Sequence, residues 1–263
     1  MRYLRGLSTY LGWGFVLFLI LPMIGIALYS LQHRALPSLA DPDTQSAIVI
    51  SLKTCAIGVL VIGILGTPLA LLIATSRGSV KALLESVVAL PIVLPPAAAG
   101  IGLLLVFGRT GLLGPSLSSV GIHLPFSAGA VVIAQVFVAA PYYIRNAAEA
   151  FGSVNGALLE AAALDGADRR RVFWSVVIPL SAPLMSAGMV LAFARALGEF
   201  GATILFAGNL PGVTQTMPLA IYVGFEGNLA NATGLALLLL IVAAFAIVVA
   251  QVALPGGKAK WAE

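Results

Sequence analysis

The sequence predicts an all-α integral membrane protein with six transmembrane helices. Three observations predict it. Of 263 residues, 60% are apolar and 9% are charged, and the mean hydropathy is +1.06. Uncharged runs long enough to span a bilayer recur along the chain, and basic residues collect on alternate connecting segments. So little polar surface cannot cover a soluble globule, so lipid must be most of the solvent.

A hydrocarbon core of roughly 30 Å takes about 20 mostly apolar residues in a helix. Five uncharged runs reach that length: residues 11–31, 54–75, 86–108, 124–144 and 229–254. A sixth, residues 182–207, has the length but carries Arg195 and Glu199 in its second half. The first run follows Arg2 and Arg5, as a signal peptide would, but its full spanning length and the lack of a small-x-small cleavage site predict a retained helix. Pro22, Pro68, Pro91, Pro95, Pro96 and Pro141 lie inside these runs. Each removes a backbone donor and tends to kink its helix, while neighbouring helices in a bundle can satisfy the freed carbonyls. The expectation is one domain over residues 1–263, with no low-complexity linker.

With the N-terminus in the cytoplasm, ten basic residues fall on inner segments: Arg2, Arg5, Arg77, Lys81, Arg145, Arg169, Arg170, Arg171, Lys258 and Lys260. Only Arg34, Lys53 and Arg109 fall outside. This is the positive-inside pattern, and it places both termini in the cytoplasm. Topology therefore accounts for the net charge of +4 without a nucleic-acid partner. In this orientation the second, fourth and sixth helices turn their positive N-terminal ends outward. Ser51, Ser127, Asn231 and Thr233 near those ends are candidate anion contacts or helix caps.

Several chemistries are excluded. Cys55, the single cysteine, can form neither an intrachain disulfide nor a cysteine metal site, and reads as a small buried apolar residue. The only histidines, His33 and His123, fall in outer segments, and no Ser/His or metal-ligand cluster falls within the spans. No Gly-x-x-x-x-Gly-Lys-Ser/Thr loop is present, because Gly256-Gly257-Lys258 lacks both the spacing and a following hydroxyl. The chain therefore carries no nucleotide-binding loop of this type, and no clear internal repeat supports a stand-alone secondary carrier.

The longest polar segment, residues 145–181, is the expected cytoplasmic docking loop. Asn155 suits an N-cap ahead of Gly156-Ala-Leu-Leu-Glu-Ala-Ala-Ala-Leu-Asp165, and Gly166 suits a stop. Ten helical residues make a rod of about 15 Å. Asp168 is placed to cap a second, basic helix from Arg169 to Val177, expected to lie on the membrane surface before Pro179. In the membrane, Arg195 and Glu199 are four apart and share a helix face. An internal ion pair and a pathway element are both open readings, and in either the pair faces away from lipid.

Glu160-Ala161-Ala162, then Gly166, then Val176 and Ile178-Pro179, resembles the EAA loop of ABC importer permeases, which more often has Ile and Leu where this chain has Val176 and Ile178. The stretch from Ala194 to Thr203, the segments Ala207 to Gly212 and Thr214 to Pro218, Leu90 to Pro96 and Gly108 to Gly111 are similar to molybdate permeases, with sulfate permeases close behind through Arg-Ala-x-Gly-Glu. The resemblance implies the type I importer permease fold in the cytoplasmic membrane of a bacterium or archaeon. It implies import of molybdate and tungstate by alternating access, with a sulfate or thiosulfate permease as the alternative. It implies a homodimer in membrane lipid, two ATP-binding subunits that hold ATP-Mg, no cofactor on this chain, and an extracytoplasmic oxyanion-binding protein. Glu160, Ala161, Ala162, Leu164, Asp165 and Gly166 would couple to the ATPase. Ala97, Ala98, Gly100 and Thr203 are candidate gate or pathway residues, small enough to let helices approach closely.

Overall fold

The computed structural model describes residues 2–33, 35, 41–164 and 166–253, and among them the regular structure is helical. In chain order the helices are α1 (Arg2–Gln32), α2 (Pro42–Thr75), α3 (Gly78–Val93), α4 (Pro96–Phe107), α5 (Gly114–Ser119) and α6 (Ala128–Gly152). There follow α7 (Gly156–Leu164), α8 (Arg169–Val172), a π turn over Phe173–Val177, α9 (Ile178–Leu197), α10 (Gly201–Phe206), α11 (Met217–Gly227) and α12 (Leu229–Ala253). Arg34, Asp165, Leu254, Lys258 and Lys260 lie outside the described residues.

Among the described residues, five stretches are long and apolar enough to cross a membrane: Ser8–Gln32, Pro42–Thr75, Ala128–Gly152, Arg169–Leu197 and Leu229–Val249. The pair α3 and α4, bent by 110°, brings the number to six when counted as one broken span. The run 86–108, expected as one helix, is therefore two. Each residue before a proline is pushed towards extended backbone, and here two prolines follow in succession. Leu94 adopts φ −67°, ψ 127° and Pro95 φ −55°, ψ 135°, which ends α3. Pro96 then opens α4 at the one helical position where a missing N–H costs nothing. Pro22, Pro68 and Pro141 each lose a single bond, and their helices continue.

The expected span 182–207 is also interrupted. α9 stops at Leu197, Gly198 to Phe200 leave the helix, and α10 begins at Gly201. In the other direction the helix starts earlier than expected, at Arg169, so the basic helix is not a separate surface helix. It is the first part of a 29-residue rod ending at Leu197. The π turn explains why Pro179 does not stop it. Ile178 N–H reaches back to Phe173 O, and this wider turn moves the backbone carbonyl that the proline ring would otherwise strike. Similarly, α6 runs on to Gly152, which narrows the loop expected at 145–181 to the segment around α7.

α6 is the centre of the bundle. Ala139 and Ala147 are buried along it, in the core it shares with α2 and α9, and admit those helices at close range. A Cβ on Gly188 of α9 would lie 2.6 Å from Asn146 Cβ, and one on Gly66 of α2 would lie 3.0 Å from Tyr143 Cδ1. Polar bonds cross the same seam: Thr67 Oγ1 meets Tyr143 Oη at 2.6 Å, and Gln135 Nε2 donates to buried Cys55 Sγ at 3.3 Å. α1 lies at the periphery against α12, where Ser30 Oγ donates to Thr233 O at 2.9 Å.

Candidate functional site

Two sets of sequence-predicted residues fall at opposite ends of the Arg169–Leu197 rod. At its start, Asn155 Oδ1 accepts from Ala157 N–H at 2.9 Å and opens α7, as expected of an N-cap. Gly166 has φ +81°, a left-handed conformation that favours glycine, and it ends the segment. Asp168 Oδ1 accepts from Arg171 N–H at 2.8 Å and starts α8. α7 packs on α8 and presents Glu160, Leu158 and Leu164 outward, Leu164 being 88% exposed. Ala162 is half-buried; Asp165 and the side chain of Ala161 lie outside the described residues. A short helix with two exposed leucines and little packing of its own is suited to docking against another surface. The start of the rod is held to α6 by an aromatic contact, the Phe173 ring lying 6.3 Å from Phe151 and 5.4 Å from its neighbour Trp174.

At the far end of the rod, Arg195 Nη2 lies 2.8 Å from Glu199 Oε2, so the expected pair forms. Its two members differ in burial: the Glu199 side chain is 1% exposed and that of Arg195 26%. The other carboxylate oxygen, Glu199 Oε1, accepts from Ala202 N–H at 2.8 Å in the first turn of α10. Glu199 therefore bridges the break between α9 and α10.

α10 packs directly on α4. A Cβ on Gly100 would lie 2.9 Å from both Ala202 O and Leu205 Cβ, and one on Gly201 would lie 2.7 Å from Pro96 Cβ. Of the candidate gate residues, Ala97 and Gly100 thus lie on one seam with Gly201 and Ala202. Ala97 is exposed and Ala98 half-buried. Thr203 is fully buried on α10, and its Oγ1 has no hydrogen-bond partner among the described residues. Ala99, Leu103, Ala202, Phe206 and the α6 residues Ala130, Val131, Ala134 and Val138 close one apolar core beneath the seam.

The candidate anion contacts act in the helices themselves. Ser127 Oγ accepts from Ala130 N–H at the start of α6, Thr233 Oγ1 donates to Leu229 O within α12, and Asn231 N–H donates to Asn228 Oδ1. Ser51 does something the sequence did not suggest. Buried in α2, its Oγ accepts from Met217 N–H at 2.7 Å and caps α11, 166 positions away. Among the described residues, no group of three His, Cys, Asp or Glu side chains is placed to hold a metal.

Residues 66–254 match the family described as binding-protein-dependent transport system inner membrane component. The chain belongs to that family. Among curated relatives of this permease, the molybdenum transport system permease protein ModB of Mycobacterium tuberculosis is 41% identical over 232 residues, 88% of each chain. ModB of Escherichia coli is 43% identical over 185 residues, 70% of this chain and 80% of the relative. The sulfate transport system permease protein CysW of Synechococcus elongatus is 34% identical over 208 residues, 78% of this chain and 73% of that one. The solved bacterial alginate ABC transporter, in complex with alginate pentasaccharide-bound periplasmic protein, shares the fold with a TM-score of 0.73 over 95% of this chain and 92% of that one, at 20% identity. The ABC importer permease fold expected from the sequence is thus the fold of this multi-pass membrane permease.

Proposed function

We propose that this permease is the membrane subunit of an ATP-driven importer for molybdate, with tungstate sharing the route. The likeness to the molybdenum permeases, which extends over most of the chain, carries the choice of substrate. In this reading two copies form a homodimer with the pathway between them, and an extracytoplasmic binding protein delivers the oxyanion. Two separate ATP-binding subunits hold ATP-Mg and dock on α7, with Glu160, Ala161, Ala162, Leu164, Asp165 and Gly166 as the coupling residues. The outward display of Leu158 and Leu164 supports this docking. The basic residues of the inner segments support cytoplasmic termini in a bacterial or archaeal inner membrane. The seam of Ala97, Ala98 and Gly100 with α10, including Thr203, forms the gate, and this chain holds no cofactor.

Likeness to the sulfate permease favours sulfate as the second reading. Uptake of molybdate into vesicles containing the complete complex separates the two. ATP-dependent uptake blocked by tungstate but not by excess sulfate is expected. Equal competition by sulfate would move the assignment to the sulfate group, and uptake without ATP would overturn the importer reading altogether.

A further inference from the structure

We propose that Glu199 is a positioning residue for transport, a latch that holds α10, and α4 seated on it, to the end of α9. The proposal rests on the reading of this chain as an ATP-driven importer subunit. Its basis is local. α10 has six residues, too few to hold a helical position by its own hydrogen bonds. The backbone between α9 and α10 leaves the helix for Gly198 to Phe200. Glu199 spans that gap with both oxygens, Oε2 on Arg195 in the last turn of α9 and Oε1 on Ala202 N–H in the first turn of α10.

What the latch holds is set by the glycine seam. Gly100 lies against Ala202 and Leu205 Cβ, and Gly201 against Pro96 and Ala97, each too close for a Cβ of its own, so α4 and α10 are in tight contact. The start of α4 follows the 110° break at Pro95, so α3 does not fix its direction, and α10 is one of its main neighbours. At the other end of α9, the helical rod runs without interruption through the π turn to Arg169, where α8 packs on α7. A displacement entering at α7 and carried along this rod reaches α4 and α10 undiminished only if the break at Gly198 is stiff. Glu199 supplies that stiffness.

Glu199→Gln isolates the latch with little change of shape. Its amide oxygen can still accept from Ala202 N–H, but its NH2 group then faces the Arg195 guanidinium, donor against donor. In vesicles containing the complete complex, the readout is the number of ATP molecules hydrolysed per molybdate taken up. The expected result is binding-protein-stimulated hydrolysis within about twofold of the unsubstituted complex and uptake reduced roughly tenfold, so that the ratio rises at least about fivefold. A merely structural role would lower both together, and an equal fall, or no change in either, overturns the proposal.

Should Glu199→Gln fail to assemble, a second measurement decides. In a Cys55→Ser background, spin labels are placed at Leu191 on α9 and at Leu112, whose backbone N–H is bonded to Leu105 O of α4; both side chains are exposed. The label separation is expected to be the same with and without trapped ATP, and a change above about 2 Å overturns the latch. Failure of the importer reading is distinguishable from either result, because the unsubstituted complex would then show no ATP-dependent uptake.

Discussion

In α2, α6 and α9, Pro68, Pro141 and Pro183 sit inside helices that continue through them, whereas Pro95 and Pro96 end one helix and begin another at 110°. Glycines divide the same way. Gly66 and Gly188 bring long continuous helices against α6, while Gly100 and Gly201 bring together two short pieces that each start at a break. The α2, α6 and α9 region is thus a continuous frame, and α4 with α10 is a small unit hung on it. What separates the α3–α4 break from the continuous helices is the number of consecutive backbone donors lost. A single missing donor is absorbed by the rest of the helix, whereas two adjacent prolines force two extended residues. The frame and the hung unit should therefore respond differently to substitution.

The largest effect is expected in the frame. Gly188→Leu drives a branched side chain into Asn146 and Tyr142, where the surrounding helices have no room to yield. Overpacking by one or two methylenes costs about 1–3 kcal/mol; here the first added carbon alone would lie 2.6 Å from Asn146 Cβ, so a leucine requires the helix backbones to separate and the cost rises far beyond that range. Loss of the folded permease from detergent-solubilised membranes is expected, measured by size-exclusion chromatography. Gly102→Ala in α4, where a Cβ meets nothing within 4 Å, should leave the elution profile unchanged. Equal behaviour of the two variants would break the comparison.

At the junction of the two regions, Arg195→Ala and Glu199→Ala each leave one charged group without its partner. Removing one member of a buried pair typically costs about 3–5 kcal/mol, much of it from the stranded charge. The Arg195→Ala/Glu199→Ala double variant is expected to be less damaged than the sum of the two, read as thermal stability of the purified complex. Simple additivity would mean that the groups do not act as a pair. The smallest effect is expected from Tyr143→Phe, which removes the Thr67 hydrogen bond without opening a cavity. Cross-helix bonds of this kind average about 0.6 kcal/mol in membranes, so a slight fall in thermal stability with full assembly is expected.

The spans were legible because charge is excluded from lipid, and α7 was legible because Asn155, Gly166 and Asp168 carry their helix signals locally. The two breaks were hidden by the same rule that revealed the spans. An uncharged run reads as one helix whether or not it bends, even though Pro95-Pro96 and Gly198 stood in plain view. Glu199 was visible as a partner for Arg195 four residues away, but its bond to Ala202 depends on α9 ending first. Ser51 capping α11, and Gly100 meeting Ala202, join residues far apart in sequence. No local pattern marks them; only packing brings them together.

Coupling to an ATPase partner requires α7 to move with the ATP cycle. The most direct measurement is cross-linking of Glu160→Cys between the two copies of the permease, in a Cys55→Ser background and with the complete complex in a membrane. The cross-linking yield across the pair is expected to differ between the nucleotide-free and ATP-trapped states. An identical yield in both would contradict coupling through this helix.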